Sequence, residues 1–185
     1  PDGTVGGWST VVLFPFLLYV WSAWYILRQV LRENAVDQLD ERIYIGRRLL
    51  ASEVPRTFDN VVDLTCEFTE PKSIRTVKNY VSFPILDAYA PPLKPLRELA
   101  VRIAAFEGTT FIHCAQGHGR TGMVAAAVVM QLHPELSPIE AIARLKAVRP
   151  ALSCNTGQRK ALAALVTAAP ARAIDDGQDI VPAET

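Results

Sequence analysis

Two apolar runs with a glycine-bearing loop between them restrict the fold of this chain more than any other feature. Thr109–His113 (TTFIH) has the length and composition of a buried strand, and Thr121–Leu132 is an alanine- and valine-rich helix. Such a helix has no polar face to give to water, so it must be buried against a sheet. The segment joining them carries Gly117 and Gly119, with Gly122 just beyond. A strand that turns tightly into a buried helix belongs to an α/β architecture. Further strands are expected at Arg42–Ile45, Asn60–Leu64 and Tyr80–Ile85. Leu96, Leu99, Ala100, Ile103 and Phe106 form a helical stripe within Pro95–Glu107. Ser137 can cap a helix beginning at Pro138, and Asn155 or Thr156 a last helix ending near Ala168, before Pro170. The expected fold is a central mixed sheet flanked by helices, with an extra apolar helix at the amino terminus.

The 185 residues suffice for one complete core. Lys plus Arg equals Asp plus Glu at 19 each, which gives no support to a nucleic-acid partner. The three cysteines, Cys66, Cys114 and Cys154, form no CxxC pair, and three histidines do not make a zinc site of them. Their odd number fits a reducing compartment better than a disulfide framework. The organisation reads as an apolar segment over 1–33, a catalytic domain over 34–170 and a mildly acidic tail over 171–185.

No charge occurs from Gly3 through Leu27, and Trp8–Leu27 has the length of a minimal membrane-spanning helix. Trp8, Trp21, Trp24 and Tyr25 suit the membrane interface, and Arg28 and Arg32 favour placing the rest of the chain on the cytoplasmic side. The other readings are an apolar helix packed on the domain or one lying on a membrane surface. Arg28–Arg32 occupies the place of a small-residue cleavage site, which argues against a signal peptide.

The loop itself, in Ile112–Gly122 (IHCAQGHGRTG), has the makings of an anion cup. A strand-to-helix loop can turn backbone N–H groups inward and end at a helix amino terminus. Cys114 would lie at its bottom, where amide dipoles and a cation favour the nucleophilic thiolate. Arg120, six residues on, can fold over the cup and match two phosphoryl oxygens with its planar fork. No Walker loop occurs, and the glycines meet the dinucleotide spacing only in part. Departure of a leaving group needs a proton, and the candidate donor is Asp87, in FPILDAYAPP, 27 residues before Cys114. Asp63 competes, but lies inside a strand, and Asp87 can also be read as a turn former.

The stretch resembles the HCxxGxxR[ST] signature of the protein tyrosine phosphatase superfamily, most closely its compact dual-specificity type. The resemblance covers roughly Asp40 to Ala168. It implies that Cys114 is the nucleophile and Arg120 the phosphate clamp, that Ala115, Gln116, Gly117, His118, Gly119 and Arg120 bind phosphate, and that no metal or other cofactor takes part. It further implies a Thr121 hydroxyl near the sulfur that eases breakdown of the intermediate, and a His113 that tunes the thiolate. A partly buried, hydrogen-bonded His113 that orders the loop is the other reading, and the two are compatible. The sequence around Asp87 resembles the family's Asp loop. Arg149-Pro150, then Asn155 and Gln158, resembles the family's late segment near the catalytic loop, which implies that they position a loop or an attacking water, although a helix cap with a solvated Gln158 is equally economical. Cys154 is a candidate partner for Cys114 under oxidation, and Cys66 an ordinary strand-end thiol.

These readings make the chain a phosphomonoester hydrolase acting on phosphotyrosine or dual-specificity protein substrates. The alternatives are a membrane-associated phosphatase of phosphoinositide or phosphatidylglycerophosphate type, and a silent phosphate-binding module. The apolar amino terminus favours a lipid, whereas a loop interior whose one ionisable residue is His118 favours a protein or simple monoester.

Overall fold

The computed structural model describes residues 7–53 and 58–167. The expected α/β architecture is borne out. Five strands, β1 (Val36–Gln38), β2 (Ile43–Arg47), β3 (Asn60–Asp63), β4 (Asn79–Ser82) and β5 (Thr110–Cys114), form one sheet in the order β1-β2-β5-β3-β4. β2, β5, β3 and β4 run parallel, and β1 pairs antiparallel with β2 at the edge. The central strand is the apolar run that ends at Cys114, and the register sets Arg47 and Asp63 beside Cys114 and His113.

Both faces of the sheet are buried, which is why its central strands read as continuous apolar runs. Val62, Ile112 and Cys114 face one core, built with α4 (Leu93–Ala104), α5 (Gly119–Leu132), α6 (Pro138–Val148) and α7 (Thr156–Thr167). Helix α5 lies between α4, α6 and α7 and buries every residue from Arg120 to Val129. Val61 and Phe111 point to the other face, among Leu49, Phe58 and Ile74, the last from the short α3 (Lys72–Arg75). Each such side chain removed from water contributes on the order of 1.5–3 kcal/mol. Ser137 and Glu140 form a complete capping box at the start of α6.

The amino-terminal segment departs from a single span. It forms α1 (Gly7–Val12) and α2 (Phe14–Val30), separated at Leu13. Pro15 accounts for the break: it has no N–H to give to Val11, and its ring fits only the first turn of a new helix. Among the described residues no helix is long and apolar enough to cross a membrane. Helix α2 packs on the domain by one stripe, with Trp24 buried against Phe68 and Ala115 and flanked by Val20, Trp21 and Leu50. The acidic tail lies outside the described residues.

Glu53 ties α2 to the sheet. It accepts two hydrogen bonds from the Arg47 guanidinium (3.0 and 3.1 Å) and one from the Leu50 N–H (2.9 Å), and Arg28 of α2 lies 3.6 Å away. The Arg47 hydrogen bonds, helped by Leu50 and Arg28 and opposed by burial, bring its carboxyl from 4.5 down to about 2. A depressed carboxyl stabilises the fold above its unfolded pKa and loses that effect as pH falls through the folded value. Glu53→Gln should therefore lower the melting temperature near neutral pH. The gap between variant and parent should shrink between about pH 4.5 and pH 2 in a pH series of thermal melts.

Candidate active site

The loop between β5 and α5 closes on itself because its carbonyls are drawn outward. The Arg48 N–H donates to the carbonyls of Cys114 (2.8 Å) and Ala115 (3.2 Å). Trp24 Nε1 donates to Ala115 O at 2.8 Å. Arg149 donates to Gln116 O through Nη2 (3.1 Å) and to Gly117 O through Nε (2.9 Å). Gly117 takes φ +73°, and a Cβ there would run into the Gly46 carbonyl of β2, so both the turn and the close approach require glycine. Inside the loop the Gly117 N–H donates to Cys114 Sγ at 3.3 Å.

Arg120, in the first turn of α5, is buried, and Glu67 holds it through Nη1 (2.9 Å) and Nη2 (2.6 Å). Nη1 also donates to Ile85 O at 3.0 Å. The Nε edge is left, and there Asp87 Oδ1 approaches to 3.3 Å as an ion pair rather than an aligned hydrogen bond. Burial works against the charge of Arg120, but Glu67, Cys114 and Asp87 outweigh it and hold the guanidinium above its ordinary range. For Glu67 burial pushes upward, and the hydrogen bonds and charge of Arg120 prevail, keeping its carboxyl below the usual range. Cys114, Arg120 and Asp87 thus line one cleft of about 640 Å³.

No family model matches the chain. Among solved structures it is similar to a mutant form of Tk-PTP, at 30% identity over 95% of that chain and 72% of this one, with a TM-score of 0.63. This chain belongs to the protein tyrosine phosphatase superfamily. Tk-PTP in the active form aligns with a TM-score of 0.65 at 29% identity, covering 72% of this chain and 97% of the other. PTPMT1 in complex with PI(5)P shares the fold, with a TM-score of 0.63 at 19% identity over 72% of this chain and 96% of that one. The sequence is also similar to 197R of Invertebrate iridescent virus 6, to which a tyrosine phosphatase activity is ascribed. That match is 33% identical over 91 residues and takes in 44% of this chain and 34% of the viral one. The chain therefore spans about a third of that relative's length. Within the superfamily its architecture is that of the compact dual-specificity type.

Around this cleft the structure distributes the other sequence candidates unevenly. Asn155 and Gln158 form a reciprocal cap on α7: Gln158 N–H donates to Asn155 Oδ1 (2.9 Å), and Asn155 N–H to Gln158 Oε1 (3.1 Å). Their amide groups also reach the Asp87 loop, Asn155 Nδ2 donating to Ala88 O (2.7 Å) and Gln158 Nε2 to Tyr89 O (3.3 Å). Cap and loop support therefore coexist. Ala88 sits at φ 60°, a left-handed conformation uncommon for alanine, directly after Asp87. Thr121 is fully buried, and its Oγ1 has no hydrogen-bond partner among the described residues. His118 Nε2 pairs with Glu33 Oε2 at 2.7 Å.

His113 departs from the hydrogen-bonded histidine that the sequence allows. Strand alternation turns it to the face opposite Cys114, stacked on Phe111 at 5.0 Å, with neither ring nitrogen hydrogen-bonded among the described residues. There it lies with Asp63 and Glu70, one potential ligand atom of each within 4.8 Å of the others. The carboxylates are largely engaged: Asp63 accepts from Thr65 and Tyr80, and Glu70 from Arg48. Burial raises the Glu70 carboxyl above its usual range. The group is a buried polar layer beneath the loop, and it accounts for Asp63 as a structural residue.

Cys66 and Cys154 are free thiols that line the same cleft, and burial pushes each up to about 11, Glu67 adding to the effect on Cys66. Three residues escaped the sequence reading as parts of the site: Glu67, Glu33 and Trp24. Glu67 and Glu33 act on partners 53 and 85 residues away, so no local spacing marks them. Trp24 stood out only as an aromatic of an apolar segment.

Arg149 is buried and uses all its donors, the remaining ones on Asn34 O (3.0 Å), Asp37 Oδ2 (2.7 Å) and Glu33 Oε2 (3.1 Å). Arg149→Met would leave two carboxylates and two loop carbonyls without their donor, and should cost about 3–5 kcal/mol in denaturant unfolding. Arg149→Lys retains charge but offers three donors instead of a planar fork. It should remain folded by circular dichroism and bind inorganic phosphate more weakly than the parent.

Proposed function

We propose that the chain is a cysteine-dependent phosphomonoester hydrolase of the tyrosine and dual-specificity type, working through a phosphocysteine intermediate. The observation that carries this reading is the convergence of Cys114, Arg120 and Asp87 on one cleft, with the loop carbonyls turned away from it. The N–H groups of residues 115–120 and the Nε edge of Arg120 receive the phosphoryl oxygens. The Cys114 thiolate, to which the Gly117 N–H donates, attacks phosphorus in line with the ester oxygen. As the S–P bond forms the P–O bond breaks, and Asp87 passes its proton to the departing oxygen. Asp87, now a carboxylate, takes a proton from water as that water attacks the phosphocysteine. Inorganic phosphate leaves and the thiolate returns. The Thr121 hydroxyl assists departure of the sulfur. Glu67 fixes the orientation of Arg120, and Asn155 and Gln158 hold the Asp87 loop. No step calls for a metal or another cofactor, and the substrate is a phosphorylated protein.

A second substrate class, a phospholipid monoester, has one observation in its favour. Phe16, Tyr19 and Leu27 of α2 form an apolar wall of the cleft, which suits an apolar body attached to the phosphate.

The test is metal-free phosphate release from phosphotyrosine and phosphothreonine peptides, phospholipid monoesters and an aryl phosphate, with Cys114→Ser as the blank. Turnover should vanish in Cys114→Ser and fall by roughly a hundredfold or more in Arg120→Lys, which loses the planar fork. Asp87→Asn should slow peptide substrates by about a hundredfold or more and the aryl phosphate, whose leaving group needs little protonation, far less. Equal release by parent and Cys114→Ser would defeat the mechanism.

A further inference from the structure

Most of the large apolar side chains exposed on the described residues belong to one segment: thirteen of eighteen lie between Trp8 and Leu31. In α2 only Leu17 and Trp24 are buried, while Phe16, Leu18, Tyr19, Ile26 and Val30 remain exposed on its other sides. A helix apolar on all sides needs apolar surroundings on all sides, and the domain covers a single stripe of this one. The segment is also firmly held. Trp24 Nε1 donates to Ala115 O, and Trp21 Nε1 donates to Glu67 O at 2.9 Å.

We propose that the exposed face of α1 and α2 docks on a lipid bilayer and sets the mouth of the phosphate cleft at its surface. Three observations favour a bilayer over other occupants. The apolar surface is continuous with the cleft, because α2 supplies one wall of it and the exposed Leu86 of the Asp87 loop stands in the same lining. Charge is distributed as an interfacial helix requires: no acidic residue occurs between Asp2 and Glu33, and the exposed Arg32 ends the segment, where it can meet anionic headgroups, while Arg28 is paired with Glu53. Trp8, Tyr19 and Tyr25 are exposed and carry polar tips on apolar bodies, as side chains at the headgroup boundary do. The two helices are too short to cross, so the mode is in-plane docking.

The docking stands apart from the catalytic reading, whereas the placement of the cleft rests on it, and two measurements separate them. The full chain is sedimented with phosphatidylcholine vesicles, with and without phosphatidylglycerol, and its turnover of a water-soluble aryl phosphate is followed in parallel. The parent should pellet with vesicles, more so with the anionic lipid. The variant Val12→Ser/Phe14→Ser/Ile26→Gln/Val30→Gln, altered at positions outside the cleft lining, should bind roughly tenfold or more weakly with aryl phosphate turnover unchanged. A parent chain that stays in the supernatant with both vesicles overturns the proposal, as does a variant that binds as the parent does. A parent that dimerises in ultracentrifugation, loses this in the variant and ignores vesicles would assign the face to a second copy. Inactivity of the parent on the aryl phosphate with vesicle binding intact would sink the catalytic reading alone.

Discussion

A loop can offer its N–H groups to an anion only if its carbonyls are satisfied elsewhere, and this constraint organises the site. A buried carbonyl without a donor costs about 1–3 kcal/mol, so four in succession would collapse the loop. Here the donors come from three distant parts of the chain: the Arg48 N–H after β2, the Trp24 indole of α2, and the Arg149 guanidinium after α6. Arg149 alone serves Gln116 O and Gly117 O, and Glu33 and Asp37 balance its charge. Trp24, Glu33 and Asp37 therefore hold the loop, directly or through Arg149, while the exposed residues between them are not hydrogen-bonded to it.

The same economy governs the second buried arginine. Arg120 has its Nη groups fixed by Glu67 and by Ile85 O, which leaves one edge of a rigid plane for the cleft. A clamp already immobilised loses little further entropy when it binds, and its geometry is set before substrate arrives. Trp21 binds the carbonyl of Glu67, so α2 reaches both sides of the site, the loop through Trp24 and the clamp through Trp21. On the opposite face of β5 the layer of Asp63, Glu70, His113, Tyr80 and Arg48 fills the space under the loop with partly satisfied polar groups.

Much of the scaffold was legible because burial leaves a pattern. β3, β5 and α5 are apolar where both sides are covered, and the stripe of Leu96, Leu99, Ala100 and Ile103 marks the one buried face of α4. Ser137 before Pro138 announces α6, and the structure adds Glu140 to complete the cap. β1 and α3 were not foreseen, being three and four residues long and dependent on neighbours more than on their own composition. The three residues that meet in the cleft, Cys114, Arg120 and Asp87, were picked out as candidates from spacing and from their loops. Glu67 and Glu33 were not, because each is defined by a partner far away in sequence. His113 shows the converse: the resemblance gives it a part in tuning the thiolate, and alternation along the strand places its ring on the face opposite Cys114, so any such effect is indirect.

The central claim, that outward carbonyls leave residues 115–120 as an anion cup, can be tested without turnover. Inorganic phosphate would be titrated into isotopically labelled Cys114→Ser protein while the backbone amides are followed by NMR. The account predicts saturable shifts concentrated on the N–H resonances of residues 115–120 and on the Arg120 Nε–H. Saturable shifts confined to other parts of the chain, or none at these amides at millimolar phosphate, would contradict it.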